Sequence, residues 1–466
     1  MLRRPVLAIA ALPLAFAATL AQSPNAGAPA VPPVADYALT NVRIVTAPGR
    51  VIERGTVLTR NGRIAAVGAT VTIPPGVVQM DLSGHTVYPG LIDAATSIGL
   101  PNPTREAPAA VVAQAGAPAG GRGGRGGAGA GRGGAGAAAR GTTAPLPPAV
   151  VPELDADAEA ADMFQPTPEE LKALRAGGVT TVGLVFNGGI FPGRIGAALT
   201  GTGEESHLAL RSGVGQEVSF GTRRGGVYPN AGIGTFALIR QSFLDAQYEL
   251  RLDKAMRAGT PGARPTNDPF TRALMPAAAN EMPTWFVAST EREMTRVAEI
   301  AKEMGIKSPV IVGAREGWRS ISTLKQSAAT AIVSLEWPSA DSVSGHEFLM
   351  LGAGKLAPGA PDPTNGLVRA NAAALAKAGV PVALASFGGT SGATFRDRIR
   401  SSIEAGLSPD DALRAATVTP AAVLGISSSV GTIEPGKLAN LVVVTGNDLF
   451  ASGNPITHVF IEGRIY

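Results

Sequence analysis

Short β-prone runs lie at both ends of the chain; those near the start alternate apolar and polar residues, and those near the end are mainly apolar. Asn61-Gly62 separates two of these runs, and an Asn-Gly pair in this position is a strong hairpin signal because both central residues of a type I′ turn need a positive φ. The pattern predicts that the two ends pair into one small composite β-sandwich. The runs that support this prediction are residues 41–45, 56–60, 63–68, 441–444 and 458–461.

The middle of the chain alternates apolar strands with capped helices. Thr167 and Thr290 are each followed three residues later by a Glu, which is the pattern of a capping box at a helix start. Repeated strand and helix units favour a parallel sheet covered by helices, and we expect an α/β protein with a (β/α)₈ TIM-type barrel. An open doubly wound sheet is the alternative. The units are strands at 180–186, 309–312, 331–335 and 380–385 and helices at 367–378 and 395–405.

Composition excludes several classes of chemistry. The chain has 466 residues, of which 45% are hydrophobic, so it can bury a large core. It contains no Cys, which excludes disulfides, thiolate zinc sites, iron–sulfur clusters and cysteine nucleophiles. Because there are only four His, an imidazole-rich metal centre would have few residues to draw on.

Two segments are predicted to lie outside the folded body. Residues 1–21 contain two arginines followed by an apolar run, which is the layout of a secretory signal peptide, and residues 22–35 are rich in Pro and Ala, as in a tether. No later segment is long and apolar enough to serve as an anchor. The sequence therefore predicts an exported, soluble protein in the periplasm or outside the cell.

The net charge of +4 is concentrated in Arg3, Arg4 and a Gly/Ala/Arg-rich insertion at residues 102–148. The insertion has the composition of a flexible low-complexity loop and lacks aromatic residues that could stack on bases. The rest of the chain is not basic, so we expect no nucleic-acid partner.

Two segments carry a family resemblance. The first is Asp81-Leu-Ser-Gly-His-Thr-Val-Tyr-Pro-Gly-Leu-Ile-Asp93, and the second runs from Ala415 through Thr419-Pro420 and Gly431-Thr-Ile-Glu-Pro-Gly-Lys437 to Val442. Both resemble the amidohydrolase superfamily, in particular its imidazolonepropionase-like branch. The resemblance implies a hydrolase barrel at 93–425, flanked by the two parts of the β-sandwich at 36–92 and 426–466.

In that family a divalent metal ion activates a water molecule and polarises the substrate carbonyl. The resemblance places the metal ligands at five positions that hold no imidazole or carboxylate in this chain: Ala95, Ser97, Val287, Gly313 and Phe387. Methyl, isopropyl and phenyl groups have no lone pairs to donate, and a hydroxyl is a weak substitute. We therefore expect the metal site to be lost and no cofactor to be bound. A pocket at this place would be lined by Asp93, Ala95, Ser97, Val287 and Phe387.

The other titratable residues offer few replacements for the missing metal ligands. Glu204, Glu205 and His207 form the most plausible substitute metal cluster. His85, His346 and His458 are interpreted as structural or surface residues. Asp397 is a further carboxylate that could approach the barrel mouth, although it falls within a helical pattern. We expect no catalytic residues at the family positions.

Two functions remain open. The first is a non-catalytic protein that binds a small-molecule ligand or assembles with a homologous amidohydrolase subunit, as a homo- or hetero-oligomer. The second is an active hydrolase of C–N bonds in a cyclic amide or dipeptide-like substrate, with an atypical site that would need Zn²⁺.

Overall fold

The computed structural model describes residues 35–101, 154–186, 188–201, 208–221, 228–266, 268–337, 363–387 and 392–466. The predicted signal peptide, nearly all of the tether and the insertion at 102–148 lie outside these ranges, so they stay predictions. Within the described ranges, no helix combines the length and the apolar character needed to cross a membrane.

Sixteen strands and nine α-helices make up the described chain. The strands are β1 Tyr37–Ala47, β2 Arg50–Arg60, β3 Arg63–Gly68, β4 Val78–Asp81, β5 His85–Pro89, β6 Leu91–Thr96, β7 Val179–Leu184, β8 Arg194–Leu199, β9 Ala209–Ser219, β10 Thr284–Ala288, β11 Val310–Gly313, β12 Thr330–Ser334, β13 Val382–Ala385, β14 Leu441–Thr445, β15 Ile456–Ile461 and β16 Arg464–Ile465. The helices are α1 Pro168–Ala176, α2 Gly232–Arg257, α3 Pro269–Ala278, α4 Glu291–Met304, α5 Ile321–Gln326, α6 Pro363–Lys377, α7 Gly392–Glu404, α8 Pro409–Ala415 and α9 Val418–Val423.

The two ends of the chain share one sheet. Its order is β16-β15-β14-β5-β1-β2-β3, with β4 also pairing with β1, and β14 joins the C-terminal strands to the N-terminal ones by pairing antiparallel with β5. Asn61 and Gly62, between β2 and β3, have φ of 50° and 76°, which confirms the predicted hairpin turn. The described residues form a single terminal sheet, so the pairing of the ends is confirmed and a two-sheet sandwich is not.

The second sheet is a nearly closed barrel of eight strands in the order β6 to β13. Its strands run parallel except β8, which pairs antiparallel with both β7 and β9. The expectation of eight β/α repeats is wrong at this point. Consecutive antiparallel strands need only short connections, and no helix separates β7, β8 and β9 among the described residues.

A buried carboxyl helps to close the barrel between its first and last strands. Asp93 on β6 is fully buried, and its Oδ1 accepts hydrogen bonds from the backbone N–H groups of Ser386 at 2.9 Å and Ala95 at 3.3 Å. Its Oδ2 accepts a hydrogen bond from the Ser386 hydroxyl. The N–H of Phe387 also donates to the carbonyl of Ala95 at 3.0 Å. These bonds across the seam argue against an open doubly wound sheet.

Alternation along the strands separates the barrel interior from the layer beneath the helices. On β10, Trp285 packs with the interior cluster, whereas Phe286 and Ala288 pack on the side of the helices. Both predicted capping boxes are present, at Thr167 before α1 and at Thr290 before α4. These capping boxes fix the first turns of α1 and α4. The carboxyl ends of the parallel strands meet at one mouth of the barrel.

Candidate ligand site at the barrel mouth

A cavity of about 210 Å³ lies where the parallel strands of the barrel end. It is small for a ligand pocket, and polar and apolar atoms contribute about equally to its surface. Its lining comes from the ends of β9 and β10 and from the residues that follow β6, β7 and β13. The lining residues are Ser97, Val185, Phe186, Gly188, Glu217, Ser219, Val287 and Phe387.

Glu217 carries the single carboxyl among these lining residues, and its side chain is almost completely buried. Its Oε2 accepts a hydrogen bond from the backbone N–H of Phe186 at 2.8 Å. Burial raises the pKa of Glu217 to about 8, and the Phe186 N–H opposes this rise only in part. The group is therefore mainly a neutral acid at pH 7.

Glu217 is not among the residues that the sequence pattern indicated. It stands in the stretch from Val214 to Phe220, where three apolar residues are interspersed with Gly, Gln, Glu and Ser. A charged residue is not conspicuous in this mixed pattern, so the sequence gives no clear signal of a buried carboxyl here. The positions that the family resemblance indicates lie on or after strands other than β9.

Three of the positions named from the sequence, Ser97, Val287 and Phe387, line the cavity together. Phe387 adopts a left-handed backbone conformation, with φ of 54°. This region is unfavourable for a bulky side chain and persists only where surrounding contacts hold it. At Phe387 one such contact is the backbone hydrogen bond to Ala95 across the seam.

The other named positions lie away from the cavity surface. Asp93 turns its carboxyl into the seam, and its pKa rises to about 6 because burial outweighs the hydrogen bonds from Ser386 and Ala95. Ala95 is fully buried in the barrel interior. Gly313, at the end of β11, has φ of 102°, and a Cβ added there would lie 2.7 Å from the Ser289 hydroxyl.

We predict that Gly313→His destabilises the protein, because the new side chain meets both an unfavourable backbone conformation and the Ser289 contact. The expected loss is about 1–3 kcal/mol in the free energy of unfolding. Val287→His is the matched control, since Val287 lies in a regular strand beside the cavity. Guanidinium unfolding of both variants measures the difference; equal losses would show that the geometry at Gly313 tolerates a side chain.

The described side chains at the mouth do not fit a metal of the amidohydrolase type. The five family positions supply no imidazole and no carboxylate, and Glu217 alone cannot provide a set of ligands. In the part of the chain that the structure describes, no three His, Asp or Glu side chains gather closely enough to hold a metal ion. Glu204, Glu205 and His207, the substitute cluster named from the sequence, lie outside the described residues.

The remaining titratable candidates lie elsewhere or are not described. His85 and His458 belong to β5 and β15 of the terminal sheet, where burial and the nearby His85 lower the pKa of His458. His346 falls outside the described residues. Asp397 lies on α7 with an exposed side chain and pairs with Arg400 at 2.9 Å.

Comparisons with known proteins agree with this architecture. Residues 355–466 match the Amidohydrolase family. The fold is similar to that of an amidohydrolase from Thermotoga maritima MSB8, with a TM-score of 0.68 and 22% identity over 92% of this chain and 99% of that one. A second amidohydrolase structure has a TM-score of 0.50 and 16% identity over 92% and 98% of the two chains. No curated protein matches the sequence.

Proposed function

We propose that this chain is a ligand-binding protein built on an amidohydrolase-type barrel, and that it has lost the metal-dependent hydrolase site of that fold. The observation that carries the proposal is the composition of the barrel mouth. It offers a small cavity with one buried carboxyl among its described lining residues, in place of a set of imidazole and carboxylate ligands. A concave pocket in which a few polar groups stand among apolar side chains is the usual form of a small-molecule site.

The backbone at two family positions also supports the loss. Gly313 has a positive φ and a close neighbour where a Cβ would be, and Phe387 places an aromatic ring at the cavity. A functional metal site needs its ligands held at defined distances and supported by neighbouring groups. Restoring a single ligand would therefore not rebuild the site.

We predict that the purified protein contains less than about 0.1 transition metal ion per chain, because ions bind only where a ligand set exists. Elemental analysis by inductively coupled plasma mass spectrometry, before and after incubation with Zn²⁺ and gel filtration, measures the content. Stoichiometric zinc that survives gel filtration would contradict the proposal.

The alternative function is hydrolysis of a C–N bond in a cyclic amide or dipeptide-like substrate. Glu217 favours it, since a buried carboxyl with a raised pKa in a cleft is a common property of acid–base catalysts. Assays with cyclic imides and small dipeptides, with and without Zn²⁺ or Mn²⁺, distinguish the two functions. Metal-dependent turnover that is lost in Glu217→Gln would establish the hydrolase.

Association with a homologous, metal-bearing subunit and export from the cytoplasm complete the proposal. The association is inferred from the family resemblance, and the export is inferred from the layout of residues 1–21.

A further inference from the structure

The carboxyl of Glu217 has one oxygen that the protein uses and one that it does not. Oε2 accepts the Phe186 N–H at 2.8 Å, whereas Oε1 has no hydrogen-bond partner among the described residues. In the neutral acid, the oxygen that accepts an N–H acts as the carbonyl, and the other oxygen carries the proton. The Phe186 N–H therefore favours placing the O–H on Oε1, as a free donor at the cavity.

Few charged groups near Glu217 could neutralise its ionised form. None of the other cavity-lining residues within the described ranges is titratable. Of the neighbouring strands, β10 has no charged residue, and on β8 the one charged side chain is Arg194, which pairs with Glu159 at 3.0 Å. A neutral Glu217 is thus the form that this environment accommodates, because an unpaired buried charge is costly.

Resting on the proposed ligand-binding function, we propose that Glu217 donates a hydrogen bond from its neutral carboxyl to the carbonyl oxygen of a small, uncharged ligand. The apolar walls formed by Val185, Val287 and Phe387 would cover the rest of the ligand. A carbonyl oxygen is an acceptor without a donor, so it complements an O–H and needs no counter-charge.

A cationic ligand fits the site less well. Binding an amine would require two charges, the ammonium and the carboxylate, to be removed from water at a site that holds no other charged side chain among its described lining residues. The desolvation of such a pair is repaid only when further hydrogen bonds surround both ions. The cavity offers two serine hydroxyls, Ser97 and Ser219, and the hydroxyl of Ser219 already accepts the Gly221 N–H at 3.3 Å.

Two probes of similar size separate these ligand classes. δ-Valerolactam is neutral and has a carbonyl oxygen, whereas piperidine has the same six-membered ring and is a cation at neutral pH. We expect the protein to bind δ-valerolactam more tightly, in titrations followed by ligand-observed NMR. Its Kd should rise about tenfold from pH 7 to pH 9, because the neutral fraction of a group with a pKa of about 8 falls by that factor.

Variants of Glu217 test the donor directly. Glu217→Gln keeps an N–H donor, so it should retain binding and lose the pH dependence. Glu217→Leu removes the donor at similar volume and should raise the Kd at pH 7 about tenfold. Val287→Trp, which fills the cavity, should abolish binding in either background and thereby shows that the probe occupies this site.

The outcomes separate this inference from the function on which it rests. Preference for piperidine, or lactam binding that is equal in the wild type and Glu217→Leu and independent of pH, overturns the donor role while the cavity remains a ligand site. Absence of binding by both probes, or binding that Val287→Trp does not change, contradicts the proposed function itself.

Discussion

Between pH 5 and pH 9 the wild-type protein should lose about 4 kcal/mol of stability that the Glu217→Gln variant retains. The pKa of Glu217 is about 8 in the folded protein, compared with an ordinary value of 4.5. The folded state therefore holds this proton more tightly than the unfolded state does. Its stabilising contribution is complete below pH 4.5 and is lost as the pH rises through 8.

Gln is the suitable replacement because its side-chain oxygen can still accept the Phe186 N–H, while no proton is bound or released. Guanidinium unfolding at both pH values gives the four free energies of the comparison. Glu281→Gln, which changes an exposed carboxyl, should preserve the wild-type difference between pH 5 and pH 9. If Glu217→Gln follows the wild-type profile as well, the Glu217 carboxyl is solvated and its pKa is not raised.

Local signals predicted much of the fold. The Asn61-Gly62 turn and the capping boxes at Thr167 and Thr290 are decided by residues close in sequence, and each is present in the structure. The antiparallel strand β8 was not predicted. Its Gly- and Ala-rich sequence, Arg194–Leu199, carries little intrinsic strand signal, and its conformation depends on pairing with β7 and β9.

Part of the candidate site was likewise predictable from the sequence, and part was not. The family resemblance identified Ser97, Val287 and Phe387, and these residues come together at the cavity because they lie at the ends of parallel strands. Asp93 was expected to line the pocket, but hydrogen bonds across the seam hold its carboxyl within the wall. Sequence spacing cannot show such a partner, since Ser386 lies almost three hundred residues further along the chain.

Asp93→Ala is expected to destabilise the protein by at least about 3 kcal/mol at pH 5. The substitution leaves the N–H groups of Ala95 and Ser386 without their acceptor, and the Ser386 hydroxyl without its hydrogen-bond partner, at a fully buried position. Each unsatisfied buried donor costs about 1–3 kcal/mol. At pH 5 the Asp93 carboxyl is mainly neutral, since its pKa is about 6, so the loss measures hydrogen bonds and packing with little contribution from a buried charge.

Asp93→Asn is the matched variant. Its Oδ1 can accept both N–H groups and its amide can donate to the oxygen of the Ser386 hydroxyl, so its loss should stay below about 1 kcal/mol, because both backbone N–H groups keep their acceptor and the hydroxyl keeps a partner. Unfolding by urea at pH 5 compares the two variants with the wild type. Equal losses for Ala and Asn would show that the seam does not depend on an acceptor at this position. Such a result would also mean that the hydrogen bonds of Asp93 do not stabilise the barrel wall beside the cavity.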